Sequence, residues 1–136
     1  MNTRLIVSAV IEKEGKILLG RKEKDMGPYP NTWHIPGGGV ELDKESLEEA
    51  IKREIKEETG LEVENLEKLA FDEDSAHNKH GELTHYVFLV FKCSCKSGEP
   101  KPGDDLVELR WFDSGELKDL PLTRPSYKLF KELGWI

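Results

Sequence analysis

Residues 37–61 of this chain contain a run of three glycines followed by a helical pattern with acids in its last two turns. At about 100° per residue, one face of this helix is apolar. If Glu54 is taken as zero, Glu57 lies about 60° to one side and Glu58 about 40° to the other, by the same period. The three acids therefore project at or beside the stripe that a core would bury, which consists of Leu47, Ala50, Ile51 and Ile55.

This placement of acids is costly unless a cation is bound beside them. Unpaired carboxylates near a core lose their hydration, and acids in a last helical turn oppose the helix dipole. Glu54 and Glu58 also repel each other at the i,i+4 spacing. Arg53 can neutralise part of the cluster, but one guanidinium cannot balance three carboxylates. A divalent metal with oxygen ligands fits the pattern, and the alternative is a solvated acidic helix end.

Length, charge and cysteine content limit the remaining possibilities. A chain of 136 residues can bury a core, so we expect residues 1–136 to form a single domain. The net charge of −7 argues against a large nucleic-acid surface, because phosphate backbones are bound by basic patches. The sequence has no apolar segment long enough to span a membrane, and we expect no signal peptide at its start. Cys93 and Cys95 are expected to be reduced thiols. We therefore expect a cytoplasmic protein, as a monomer or a homodimer.

The rest of the chain alternates between β-type segments and loops, which predicts an α/β domain with a mixed sheet and helices packed on it. Strands are expected at residues 4–11, 16–20, 61–70, 85–95 and 107–113, the first two forming a hairpin. The central helix should begin near residues 44–46, capped by Asp43 or Ser46, and end at Gly60. Residues 72–82 should form a loop or hairpin tip and 96–105 a loop, with short helices near 114–117 and 126–133.

A stretch rich in Gly, Pro and Asn, residues 21–36, separates the second strand from the glycine run. Irregular stretches of this kind often carry binding residues, so Arg21 and Trp33 are the candidates for substrate binding. Trp33 could stack on a base or a sugar, or it could close the end of the core. Three histidines have no ligand spacing and are expected to be solvated or cross-strand residues: His77, His80 and His85.

The pattern of glycines, acids and arginine also resembles the Nudix box. This sequence matches every defined position of that motif, with the correct spacing throughout residues 39–61: Gly39, Glu45, Arg53, Glu54, Ile55, Glu57, Glu58, Gly60 and Leu61. The flanks are similar as well, with W-x-x-P-G-G before the box and E-L-R-W-F after it. The chain is therefore identified as a member of the Nudix family by its sequence.

The resemblance implies a fold, a reaction and a metal site. Nudix proteins form an α/β/α sandwich, and they hydrolyse a nucleoside diphosphate linked to another moiety with Mg²⁺ or Mn²⁺. Carried over by position, Glu54, Glu57 and Glu58 would be the metal-binding and catalytic acids. The backbone carbonyl of Gly38 or Gly39 would complete the coordination.

The resemblance also implies roles for other residues. Arg53 would orient the acids, and Glu45 would hold Arg53 by a salt bridge. The reaction needs a carboxylate that positions or deprotonates the attacking water. Glu54 is the first candidate for this base, and the distal candidate is Asp105, with close rivals in Asp104 and Glu108.

The box defines the reaction type and says little about the substrate. No proline occurs between Leu61 and Glu99, unlike the pattern of ADP-ribose hydrolases, and the motif that marks NADH diphosphatases is missing. The small size and MutT-like layout favour a nucleoside triphosphate, including an oxidised or non-standard one, cleaved to monophosphate and pyrophosphate. A nucleotide sugar or another dinucleotide-type substrate is the alternative, and no stable nucleic-acid complex is expected. A non-catalytic nucleotide-binding Nudix domain is the alternative from another class, although it predicts loss of box acids that are all present here.

Overall fold

The computed structural model describes residues 2–23 and 31–136. The strands are β1 (Asn2–Lys13), β2 (Lys16–Lys22), β3 (Trp33–His34), β4 (Gly37–Gly39), β5 (Glu62–His77), β6 (Leu83–Ser97) and β7 (Leu106–Asp113), and the helices are α1 (Leu47–Thr59) and α2 (Arg124–Glu132). A 3₁₀ helix at Ser114–Asp119 follows β7. Residues 24–30 of the predicted loop at 21–36 lie outside the described residues. Its first two residues belong to β2, and Trp33 and His34 form β3.

The described strands form one mixed sheet with helices on both faces. Their order is β3-β2-β1-β6-β5, with β4 paired to β1 and β7 paired to β2. β1 runs parallel to β6, whereas β5 and β6 pair antiparallel. Because alternate side chains of a strand point to opposite faces, Val7 and Ala9 pack with α1 and Val10 packs with α2. The predicted α/β fold, with a mixed sheet between helices, is confirmed.

Both predicted ends of α1 are confirmed by its capping geometry. The side chain of Ser46 accepts the N–H of Glu49, and the Glu49 carboxylate accepts the N–H of Ser46. Gly60 ends the helix in the left-handed conformation, with φ of 74°, which favours glycine. The caps define the two ends of α1, and the burial of Ala50 and Ile55 against the sheet defines which face of the helix points inward. Together they determine the positions of the acids in the last two turns.

The prediction of a loop or hairpin tip at residues 72–82 was wrong for most of its length. β5 continues to His77 and β6 begins at Leu83, so only residues 78–82 form the connection. The polar sequence suits a strand here because α2 supplies cations to it. Lys128 donates to Asp72 at 2.9 Å, and Arg124 donates to Asp74 at 3.1 Å.

Other differences from the predicted elements are small. The glycine run forms the short strand β4, in which Gly38 pairs with Val7. A Cβ on Gly37 would overlap the backbone of β1, so the close pairing of the two strands requires glycine there. α2 begins at Arg124, ahead of the predicted start at Ser126, because Thr123 caps it. Among the described residues, no helix has the length and apolar character needed to cross a membrane.

Candidate active site

The C-terminal half of α1 places its acids against β4. Glu54 and Glu58 are buried, with 8% and 5% of their surface exposed, whereas Glu57 is exposed. The backbone N–H of Gly37 donates to Glu58 Oε1 at 2.8 Å. A Cβ on Gly38 would overlap the carboxylate of Glu54, so the glycine allows strand and acid to approach each other.

Burial raises the pKa of both inner carboxyl groups. The pKa of Glu58 rises to about 8, mainly because burial disfavours the charged form, and the N–H of Gly37 opposes this only in part. Burial also raises the pKa of Glu54, although the hydrogen bond from Arg53 acts in the opposite direction. A cation bound beside these groups would restore their ionised form, so metal binding and proton release should be coupled.

Arg53 is held in a fixed position by Glu45. Its Nε and Nη2 donate to the two oxygens of the Glu45 carboxylate at 2.8 and 2.7 Å, which is a bidentate pair. Nη1 donates to Glu54 Oε1 at 2.9 Å, and Nη2 also donates to the carbonyl of Gly39 at 3.1 Å. The hydrogen bonds between them raise the pKa of Arg53 and lower that of Glu45 to about 2. The guanidinium therefore stays ionised and orients Glu54.

Three carboxylates lie close enough to bind one metal ion. One oxygen from each of Glu54, Glu57 and Asp104 lies within 4.8 Å of the other two. Hard oxygen donors of this kind suit Mg²⁺ or Mn²⁺, so the donor set fits the predicted metal. Glu58 is outside this group, and one of its oxygens accepts the N–H of Gly37. Of the two glycine carbonyls suggested as ligands, those of Gly38 and Gly39, the carbonyl of Gly39 accepts from Arg53.

Asp104 reaches the metal group because its loop is bonded to the end of α1. The N–H groups of Lys101 and Gly103 donate to the carbonyls of Thr59 and Glu58, both at 2.9 Å. Carbonyls in the last turn of a helix lack partners within it, so the loop satisfies them. A Cβ on Gly103 would overlap the carbonyl oxygen of Glu57, and this glycine thus permits the close contact.

The distal acids considered from the sequence have different surroundings. Asp104 joins Glu54 and Glu57 in the metal group. Asp105 also lines the cavity described below, but its carboxylate lies 3.9 Å from Lys22 Nζ. Glu108 pairs with Arg21 at 3.2 Å and with Arg110 at 2.8 Å. Asp104 is therefore the distal acid best placed to contact a metal.

A cavity of about 320 Å³ extends from these acids between the sheet and α2. This volume is in the range of small-molecule sites. The acids Glu54, Glu58 and Asp104 belong to its lining. The apolar part of the lining comes from the sheet and from α2 and includes Ile6, Phe88, Val90, Pro125 and Leu129.

Arg4 and Lys22 bring positive charge to the cavity. The guanidinium of Arg4 lies against Gly39, where it occupies the place that a Cβ would take. It has no ion-pair partner in the described part of the chain. Sequence reasoning missed both cations, because a lone charge on a strand has no spacing that distinguishes it from a solvated surface residue.

The two predicted substrate-binding residues are absent from the described lining of the cavity. Trp33 is 7% exposed and packs edge-on against Phe112, with ring centroids 5.0 Å apart. Of the two roles considered for Trp33, the structure shows core packing. Arg21 donates to Glu108 on β7, and this pair ties two neighbouring strands together.

Known proteins of similar sequence also belong to the family whose motif the site residues match. A model of the NUDIX domain matches residues 2–133. The nucleoside triphosphatase NudI of Enterobacter sp. (strain 638) is 29% identical over 140 residues, covering 98% of this chain and 99% of that protein. The protein of the same name from Klebsiella pneumoniae (strain 342) is 30% identical with the same coverage.

Solved structures with a similar fold are also Nudix proteins. A MutT NUDIX hydrolase from Burkholderia pseudomallei is 29% identical, with a TM-score of 0.81 over 98% of this chain and 99% of that one. The NUDIX domain of Shewanella oneidensis NrtR, complexed with ADP ribose, has the same fold, with a TM-score of 0.77 at 20% identity over 98% of this chain and 87% of that one. The chain belongs to the Nudix hydrolase family.

Proposed function

We propose that this protein hydrolyses a nucleoside triphosphate to the monophosphate and pyrophosphate with Mg²⁺ or Mn²⁺, and that residues 1–136 form one catalytic domain. The observation that carries the proposal is the meeting of Glu54, Glu57 and Asp104 beside a cavity whose volume, about 320 Å³, is in the range of small-molecule sites. Two relatives that align over nearly their full length are named nucleoside triphosphatases, which supports the same substrate class.

The residues around the metal group have separate roles in this proposal. A divalent ion, when bound, screens the phosphate charges and stabilises the leaving group. Glu54, Glu57 and Asp104 would hold that ion, while Arg53 keeps Glu54 in place through Oε1. Glu54 lines the cavity and belongs to the metal group, so it is the first candidate for the group that takes a proton from the attacking water. Asp105 is the second candidate for this base, because it too lines the cavity.

The cations of the cavity would bind the phosphate chain. Arg4 lies beside Gly39 and lines the same cavity as Glu54 and Asp104, without an ion-pair partner among the described residues. Guanidinium groups bind phosphate oxygens well because their donors are fixed in a planar fork. Lys22, at 3.9 Å from Asp105, adds a second positive charge.

Replacing Arg4 by alanine should therefore weaken nucleotide binding. Loss of one charge-assisted hydrogen bond predicts a KM raised by about 10- to 100-fold. Steady-state kinetics at saturating Mg²⁺ would measure this change. Arg4→Lys should recover part of the loss, and Lys44→Ala, which removes a positive charge from the exposed surface, should leave KM unchanged. An unaltered KM in Arg4→Ala would show that this guanidinium does not bind the phosphates.

A nucleotide sugar is the second candidate substrate, and a non-catalytic nucleotide-binding domain is the alternative without chemistry. The presence of Glu54, Glu57 and Glu58 favours catalysis over binding alone. The two substrate classes differ in product, because a nucleotide sugar releases a sugar phosphate and a triphosphate releases pyrophosphate.

The proposal is tested by product analysis over a panel of nucleoside triphosphates, nucleotide sugars and dinucleotides. With Mg²⁺, triphosphates should yield monophosphate and pyrophosphate in equal amounts, as resolved by ion-exchange chromatography, and EDTA should stop the reaction. Release of diphosphate and inorganic phosphate would contradict the proposed bond cleavage. Full turnover in EDTA, or hydrolysis of nucleotide sugars alone, would also overturn the proposal.

A further inference from the structure

The described residues contain two buried side-chain polar atoms without a hydrogen-bond partner, and both belong to the lining of the same cavity. They are Nε2 of His34 and Oδ2 of Asp72. Buried polar atoms are rarely left unpaired, so each one calls for an explanation. A molecule bound in the cavity would supply partners for both atoms.

Both unpartnered atoms are hydrogen-bond acceptors. Nδ1 of His34 lies 2.8 Å from the carbonyl of Ile35, which can only accept, so Nδ1 carries the proton and Nε2 is bare. Burial lowers the pKa of His34 to about 4, in agreement with a neutral ring. A phosphate chain at neutral pH offers further acceptors and cannot satisfy these atoms. The nucleoside half of a nucleotide can, since its base carries N–H groups and its sugar carries O–H groups.

The carboxylate of Asp72 is held so that one oxygen remains available. Oδ1 accepts from Lys128 Nζ at 2.9 Å and from the backbone N–H of Glu73 at 2.7 Å. Oδ2 is the atom left without a partner. Asp72 faces Phe88 in the strand pairing, and Phe88 in turn pairs with Ile6, so these three residues occupy one row across the sheet.

The surroundings of Asp72 suit a flat heterocycle. Its row on the sheet supplies the apolar side chains of Phe88 and Ile6, and α2 covers the cavity with Pro125 and Leu129. Apolar walls with few polar groups are typical of sites that bind an aromatic ligand and orient it. The metal group belongs to α1 and the loop before β7, whereas Asp72 lies on β5 beneath α2. A nucleotide with its phosphates at the metal group would have its base within this apolar part.

We propose that Asp72 is a specificity-determining residue, whose Oδ2 accepts an N–H group from the base of the bound nucleotide. This rests on the proposed function, because it requires a nucleotide in the cavity. A carboxylate accepts but does not donate, so a base that placed a carbonyl oxygen or a bare ring nitrogen against Oδ2 would be repelled. Lys128 is a positioning residue, since it fixes the carboxylate through Oδ1 and leaves Oδ2 for the base.

The test is equilibrium binding of α,β-methylene analogues of ATP, GTP, CTP and UTP, measured by calorimetry with Mg²⁺. These analogues resist cleavage, so the measurement does not depend on turnover. Wild type should discriminate between the best and the worst base by about 10-fold or more. Asp72→Asn should change the relative affinities of the four bases by a similar factor, because the amide presents a donor as well as an acceptor.

Asp74→Asn is the matched control. Asp74 lies on the same strand and also forms an ion pair with α2, through Arg124 at 3.1 Å, but it is absent from the described lining of the cavity. It should lose a similar strand-to-helix contact and keep the wild-type order of bases. Asp72→Ala provides a second variant if the asparagine disturbs folding, and it should reduce the discrimination between bases.

Three results would overturn the assignment of Asp72. The first is equal affinity of the wild-type protein for all four analogues, and the second is no detectable binding of any analogue. The third is a shift of all four affinities by one common factor in the Asp72 variants. The third result would mean that Asp72 stabilises the fold but does not contact the base. Failure of the proposed function has a different signature, namely analogues that bind with base discrimination while the natural triphosphates are not hydrolysed.

Discussion

Glu57→Gln should lower the kcat of nucleoside triphosphate hydrolysis by about 10²- to 10³-fold, the range for loss of one electrostatic contact in a transition state. Glu57 contributes one of the three carboxylates that lie within 4.8 Å of one another. Glutamine keeps the shape of the side chain and removes its charge. Because Glu57 is exposed, the fold should survive the change, and single-turnover kinetics with a melting curve would check both statements.

Glu48→Gln is the matched control for this variant. Glu48 is an exposed acid in the first turn of the same helix, remote from the metal group. Glu48→Gln should keep the wild-type kcat and the wild-type dependence of kcat on Mg²⁺ concentration. If Glu57→Gln matched Glu48→Gln in kcat at every Mg²⁺ concentration, the assignment of Glu57 to the metal group would be wrong.

Glu58→Gln should stabilise the metal-free protein at alkaline pH. The pKa of Glu58 is about 8 in the folded protein, against 4.5 as its ordinary value. As the pH rises from about 4.5 to about 8, the unfolded chain loses a proton that the folded chain retains, so wild-type stability falls across this range. The loss is on the order of 4 kcal/mol by pH 8, from the free energy of a pKa shift. Glutamine has no such proton and can still accept the N–H of Gly37.

Thermal unfolding of wild type and Glu58→Gln in EDTA, from pH 4 to pH 9, measures this effect. The two melting temperatures should agree near pH 4 and separate as the pH rises, with the variant higher by roughly 10 °C at pH 8. Glu48→Gln should follow wild type throughout. A variant that is less stable than wild type at pH 8 would mean that the Glu58 carboxylate is stabilised in the folded protein.

The parts of the site that could be predicted from the sequence are those encoded by local spacing. Ser46 and Glu49 identify the start of α1 and Gly60 its end, because capping involves residues a few positions apart. The helical period then places Glu54, Glu57 and Glu58 on one side. The sequence alone showed that these carboxylates would lose hydration near a core, and Glu54 and Glu58 are indeed buried.

The parts that could not be predicted depend on contacts between distant segments. Asp104 joins the metal group through backbone hydrogen bonds from its loop to the end of α1, which no local pattern records. The polar strand around Asp72 resembles a loop until α2 supplies Lys128. The sequence left two roles for Trp33, stacking on a ligand or packing in the core, and its edge-on contact with Phe112 shows core packing.

We claim that Glu54, Glu57 and Asp104 together bind a divalent cation, and the Mn²⁺ affinity of Asp104→Asn is the sharpest test of this assignment. Asp104 lies outside the sequence motif, and Asp105→Asn is its matched neighbour, since Asp105 lies near Lys22. Calorimetric titration of metal-free protein should show Mn²⁺ binding weakened by about 10-fold or more in Asp104→Asn, by analogy with the loss of groups around other metal sites. Asp105→Asn should bind as wild type does. Equal Mn²⁺ affinity in wild type and Asp104→Asn would contradict the claim.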